Sequence, residues 1–163
     1  MKKIKYLFAA GVSLLLAIGV KTAYADTTEG CQALTNTTWT TSLRLNSTFD
    51  PSQPVINNVV TLKINSVVKG DHSYGLQGTM SSTGSDSFSA IPFYGSSCDQ
   101  SADGKITWVS AYIMLNDSIY RILSRNLSGS VFPVSLNIPK SGVNWQHNGI
   151  NYLNKDEASL EKA

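Results

Sequence analysis

Residues 59–82 constrain this chain more than any other stretch. They read as two extended runs, VVTLKINSVVK and SYGLQGTMSS, on either side of Gly70-Asp71. In the first run Val60, Leu62, Ile64 and Val68 share one parity, and Thr61, Lys63, Asn65 and Lys69 take the other. A period of two belongs to a strand with one buried and one wet face. The second run sets His72, Tyr74, Leu76, Gly78 and Met80 against Ser73, Gln77 and Thr79. Two residues such as Gly-Asp between alternating runs predict a tight antiparallel hairpin.

The rest of the chain repeats this unit. Residues 37–45, rich in threonine, space Trp39 and Leu43 for one face, and residues 46–58 carry Pro51 and Pro54 and read as a loop. Residues 88–97 form a strand that Pro92 must bend or hold at an edge. Asp103-Gly104 is a turn into residues 105–115, the most apolar stretch outside the N-terminus, and Asn116-Asp117 turns it into residues 118–126. An extended piece follows near 131–136. Residues 143–147 and 150–154 then flank Asn148-Gly149, the strongest short hairpin signal in the chain. The tail from Asp156 is charged and is expected to be frayed or briefly helical. Seven to nine strands with short connections and no long helix must close or pair up to hide their edges. The expectation is an all-β fold, an eight-stranded antiparallel up-and-down β-barrel with room for one small ligand, with a two-sheet sandwich as runner-up.

The N-terminus has a different character. Lys2, Lys3 and Lys5 precede an apolar run over 7–20, and Ala23-Tyr24-Ala25 offers a small-x-small cleavage site. Residues 1–25 therefore read as a cleaved bacterial-type signal peptide, too short an apolar run for a membrane anchor. The expected product is exported, periplasmic or extracellular. It divides into a domain over 26–155 and a charged tail over 156–163. Removing four lysines leaves 9 basic residues against 11 acidic ones, a formal −2 in place of +2. That balance gives no basic patch for nucleic acid and no basic amphipathic helix for a membrane surface. Both cysteines, Cys31 and Cys98, lie in the mature chain, and in an exported protein the default is one disulfide between them.

Several stretches, taken in order, resemble the avidin/streptavidin family. Leu34 to Trp39 (LTNTTW) is similar to the family's opening Leu-Thr-Gly-x-Trp with one residue inserted, and Leu45 to Phe49 (LNSTF) to its Leu-Gly-Ser-Thr-Phe. Leu76 to Ser82 (LQGTMSS) resembles Leu-Thr-Gly-Thr-Tyr-Glu-Ser. Thr107, Trp108 and Tyr112 fall like Thr-Trp-x-x-x-Tyr, and Gly149-Ile150-Asn151 like the Gly-Ile-Asn of the last strand, preceded by Trp145. The resemblance implies an eight-stranded barrel, dimeric or tetrameric, that holds biotin or a similar small molecule at its open end, as a ligand and not as a cofactor. Ser47 would then donate to a ureido oxygen, Ser82 and Asn151 would accept from the ureido N–H groups, and Trp108 would pack on the ring system. Trp145 would be lent to a neighbouring subunit. A neutral urea needs such donors, acceptors and apolar walls.

The departures carry weight. Met80 stands where the family has a hydrogen-bonding tyrosine, Thr41 or Ser42 where it has an asparagine, Ile122 where it has a tryptophan, and 93–97 hold no tryptophan. Each lost buried hydrogen bond costs roughly 1–3 kcal/mol, so two or three losses weaken binding by orders of magnitude. The expected site is Thr41, Ser47, Ser82, Trp108, Trp145 and Asn151, with biotin held at reduced affinity.

No enzyme or metal pattern competes. Asp71, Asp99, Asp103 and Asp117 fall in predicted turns, His72 and His147 lack zinc-type spacing, and no nucleophile-elbow motif is present. The chain is therefore read as a binder rather than an enzyme. The alternatives are a barrel that binds a protein partner through its loops, as an inhibitor would, another small apolar ligand, and, far behind, a hydrolase. A barrel mouth plugged by its own side chains would favour the protein partner. A carboxylate or His meeting a Ser inside the barrel would revive the hydrolase.

Overall fold

The computed structural model describes residues 30–131 and 133–163. The expected signal peptide over 1–25 lies outside them. A short 3₁₀ turn, Gly30–Leu34, leads into eleven strand segments. These are β1 (Thr37–Ser47), β2 (Ile56–Lys69), β3 (Tyr74–Gly84), β4 (Phe88–Pro92), β5 (Ser97–Gln100) and β6 (Ile106–Leu115). They continue as β7 (Ser118–Arg125), β8 (Ser135–Ile138), β9 (Val143–His147), β10 (Ile150–Asn154) and β11 (Ala158–Lys162). Every pairing is antiparallel, and eight segments close a hydrogen-bonded ring in the order β1, β2, β3, β5, β6, β7, β9, β10 and back to β1. The all-β class and the count of eight are thus as the sequence predicted.

The remaining segments are continuations of ring strands past an interruption. β4 lies against β3 just ahead of β5, broken from it after Pro92, which cannot donate to a ladder. β8 and β11 extend the last two strands beyond β9 and β10, pairing with each other, with Arg125 of β7 and with Trp39 and Thr40 of β1. The ring therefore closes at both ends, through different segments.

Alternation places the core. Trp39, Leu43 and Leu45 of β1, Val60, Leu62 and Ile64 of β2, and Met80 of β3 turn inward and are buried. They meet Val109, Ala111 and Ile113 of β6 and Ile122, Val143 and Trp145 across the ring, so a continuous apolar cluster fills the interior. Each fully buried Leu, Ile or Val side chain contributes about 1.5–3 kcal/mol. Both two-residue turns, Asn116-Asp117 and Asn148-Gly149, have positive φ at each position, 49° and 62° in one and 51° and 75° in the other. That is the mirror-image turn whose twist matches the strands it joins.

Three local expectations change. The β2–β3 connection uses four residues, 70–73, closed by the Gly70 N–H donating to the Ser73 carbonyl at 2.8 Å, with Lys69 opposite Tyr74. A register shift between Ile64 and Ser66 reverses the alternation, so Val67 packs on the core and Val68 turns out to solvent. The charged tail is neither frayed nor helical: β11 is a strand, with Leu160 buried opposite Leu136. Cys31 and Cys98 form the expected disulfide. It ties the 3₁₀ turn to β5, beside the hydrogen bond from the Cys31 N–H to Gln100 Oε1 at 2.8 Å.

Candidate functional site

One end of the ring gathers polar and aromatic side chains over the apolar core. On one wall Ser47, Tyr152, Trp145 and Tyr120 stand opposite one another on β1, β10, β9 and β7. Directly paired residues share a face of the sheet, so all four point inward. On the other wall Thr41, Val60, Ser82 and Phe88 form a second such row. Phe88 joins the two walls, its ring 5.1 Å from Tyr120 and 5.7 Å from Trp145, while Tyr120 meets Trp145 edge-on at 4.8 Å.

Asp86, in the short β3–β4 connection, is bound by both walls. Asn58 receives the Asp86 N–H on Oδ1 at 3.0 Å and donates from Nδ2 to the Asp86 carbonyl at 3.1 Å. The Ser82 hydroxyl donates to the same carbonyl at 2.8 Å. Across the end, Trp145 Nε1 donates to Asp86 Oδ2 at 2.8 Å, and His147 Nδ1 lies 3.1 Å from that oxygen. Asn58, Ser82 and Trp145 are all buried, and the Asp86 side chain is 12% exposed. A carboxylate so placed needs such partners, because an uncompensated buried charge is costly. Hydrogen bonds to a charged group contribute about 1.5–3 kcal/mol each. Asn148 Nδ2 lies 3.1 Å from His147 Nε2, an arrangement that fits Nδ1 as the nitrogen carrying its proton toward Asp86. Burial pushes the Tyr120 phenol above its ordinary pKa and the Asp86 charge pushes it further, while a hydrogen bond with Ser118 works against both.

The expected site residues separate into two groups. Ser47, Ser82 and Trp145 lie at the Asp86 end, with Thr41 on the Ser82 wall. Ser82 and Trp145 are bonded to Asp86, Ser47 Oγ accepts the Asp50 N–H at 3.1 Å, and Thr41 Oγ1 is buried with no hydrogen-bond partner. Trp145 is 0% exposed inside its own ring, so the wall it builds belongs to its own chain. Trp108 and Asn151 are elsewhere. Trp108 lies on the outer face of β6 toward the opposite end, with the Arg125 guanidinium 6.0 Å above its ring. Asn151 alternates with the inward Tyr152 and so faces out; its main-chain carbonyl accepts from the Thr48 N–H at 3.0 Å, and its Oδ1 is buried without a partner. Met80 is part of the core.

Sequence reasoning missed Asp86, Asn58, Phe88 and Tyr120. Asp86 sits in a Gly/Ser/Asp loop, where aspartate is ordinary. Asn58 offered the one usable signal, an asparagine with inward parity ahead of Val60 and Leu62.

Beside Asp86 lies a cavity of about 480 Å³, lined by Asp86, Leu115, Ser118, Tyr120, His147 and Asn148 among others. The end thus presents two ring N–H donors to one carboxylate oxygen, which suits recognition of an acceptor group. His147 and Asp86 approach as an acid–base pair would, yet the other His147 nitrogen meets an amide rather than a hydroxyl. Among the described residues no three His, Cys, Asp or Glu side chains converge on a metal position. No protein-family model, curated protein or solved structure matches the chain.

Proposed function

We propose that this chain is an exported, avidin-like up-and-down β-barrel that binds a small molecule at the Asp86 end, with biotin as the first candidate. One observation carries the reading: Ser47, Ser82 and Trp145 stand at a single end of a closed eight-strand ring, where Asp86, bonded to Ser82 and Trp145, lines an open cavity. On this reading the protein is a binder rather than an enzyme. The Cys31–Cys98 disulfide fits an oxidising compartment. Since Trp108 and Asn151 stand outside the ring, biotin would be held by four of the six expected residues and at reduced affinity. Calorimetric titration of residues 26–163 with biotin, beside Ser47→Ala, tests this. Saturable one-to-one heat that weakens in the variant supports the reading, and no heat up to millimolar biotin removes biotin from it.

A second reading, the protein-binding barrel that a plugged mouth favours, has two observations: Asp86, Phe88, Tyr120 and Trp145 fill this end of the ring, and an apolar face lies outside it. The outer face of β6 exposes Trp108 and Met114 on either side of Tyr112, whose ring lies tilted 5.7 Å from that of the exposed Tyr94. Such an apolar face suits association with a protein surface, a second copy in the oligomer that the avidin likeness implies. Sedimentation of wild type against Trp108→Ser with Met114→Ser decides it, since a monomer in both would remove this face from consideration.

A further inference from the structure

Asp86 is held as a ligand would be. Its carboxylate, N–H and carbonyl are each met by a side chain from the ring, and three of those side chains belong to buried residues. The connection that carries it is short, β3 ending at Gly84 and β4 starting at Phe88. Little of the connection's own apolar surface is buried in return, because Ser85 and Ser87 are exposed. The polar end of the ring is therefore occupied by a single side-chain carboxylate, and the cavity of about 480 Å³ opens next to it.

We propose that Trp145 Nε1 and His147 Nδ1 form a carboxylate-binding subsite, closed in this structure by Asp86, and that the small molecule taken at this end carries a carboxylate that displaces it. This rests on the reading of the Asp86 end as the ligand end and adds the ligand's chemical class. Two donors converge on one oxygen, 2.8 and 3.1 Å away, from a rigid wall whose tryptophan is fixed by Phe88 and Tyr120. An indole N–H and an imidazole N–H side by side satisfy an anionic oxygen better than a neutral carbonyl, because charge-assisted hydrogen bonds are the stronger kind. The aromatic faces of Phe88 and Tyr120 supply the apolar flank for whatever carries the carboxylate. Asp86 competes as a tethered group at an effective concentration on the order of millimolar or higher, so a free carboxylate binds the closed form weakly. Turning the Asp86 side chain aside leaves its main-chain bonds to Asn58 and Ser82 in place, which makes that side chain a door and the strand walls its frame.

The test uses acetate as the probe and the indole N–H resonance of Trp145, assigned with Trp145→Phe, as the readout. In Asp86→Ala, acetate is expected to shift that resonance saturably, at least ten-fold more tightly than in wild type, and the shift should vanish with His147→Ala added. Should Asp86→Ala fail to fold, Asp86→Asn preserves size and main-chain bonds while removing the charge. Its response to acetate is read in the same way. A folded variant whose Trp145 signal ignores acetate overturns the subsite. Biotin and its neutral amide, run on the same sample, separate the two levels. If the amide binds at this end while acetate does not, the small-molecule reading stands and the carboxylate subsite falls. If acetate binds and neither biotin form does, the subsite stands and biotin is replaced by another carboxylate.

Discussion

Leu160→Ala is the sharpest test of how the ring closes at its second end. Leu160 is 1% exposed and sits opposite Leu136, itself 1% exposed, on the β8–β11 ladder. Truncating a buried leucine removes its transfer energy and leaves a cavity, together about 2–5 kcal/mol. Four residue pairs join β11 to β8 and two join it to β1, so the site is clamped from both sides and cannot collapse freely. A loss of about 3 kcal/mol is therefore expected, a large share of the roughly 5–15 kcal/mol that holds a domain together. With a urea m-value of about 1–3 kcal/mol/M, the unfolding midpoint drops by about 1–3 M. The assay is urea denaturation followed by tryptophan fluorescence, because Trp39 lies directly opposite Lys162 of the same strand. Ser159→Ala, one residue away and exposed, is the control and should stay within about 0.5 kcal/mol of wild type. If the two variants unfold together with wild type, the tail is not part of the folded unit and the closure described above is wrong.

Replacing both Cys31 and Cys98 by alanine frees a chain segment 67 residues long and is expected to cost about 4 kcal/mol through the unfolded state; a change under 1 kcal/mol in chemical denaturation would contradict the chain-entropy account. Tyr120 has a raised pKa, so the folded form holds the phenol proton more tightly than the unfolded chain does. The associated stability is complete below the ordinary value of 10.0 and is lost as pH rises past it, so Tyr120→Phe should show a shallower loss above pH 10 in pH-stepped melts. An identical alkaline slope in both proteins would refute the assignment. Gly78→Ala would set a Cβ 2.0 Å from the Lys63 carbonyl oxygen and 2.9 Å from the Phe93 ring. The β2–β3 ladder must shift to admit it, at about 1–3 kcal/mol, and a neutral melting temperature would show that the strands are looser than described.

Much of the frame is written locally. Val60, Leu62 and Ile64 alternate with polar partners and are buried, Asn116-Asp117 and Asn148-Gly149 make the turns their residue types favour, and Pro92 ends β4 where it must. These features depend on one residue and its near neighbours, which is why periodicity and turn chemistry reveal them. The candidate site was legible in part: Ser47, Ser82 and Trp145 share an end, whereas Trp108 and Asn151 face outward because strand alternation, relative to the core, sets their side.

The tertiary structure alone decided three things. The register shift after Ile64 turned Val67 inward and Val68 outward, a choice that strand pairing makes and residue type does not. Residues 158–162, within the charged tail, became a strand because β1 and β8 offered ladder edges that would otherwise stand unpaired. Asp86 found Asn58 across 28 residues and Trp145 across 59, and no pattern along the chain brings such groups together. Alternation tells each side chain which face to take; only closure of the ring determines which faces meet.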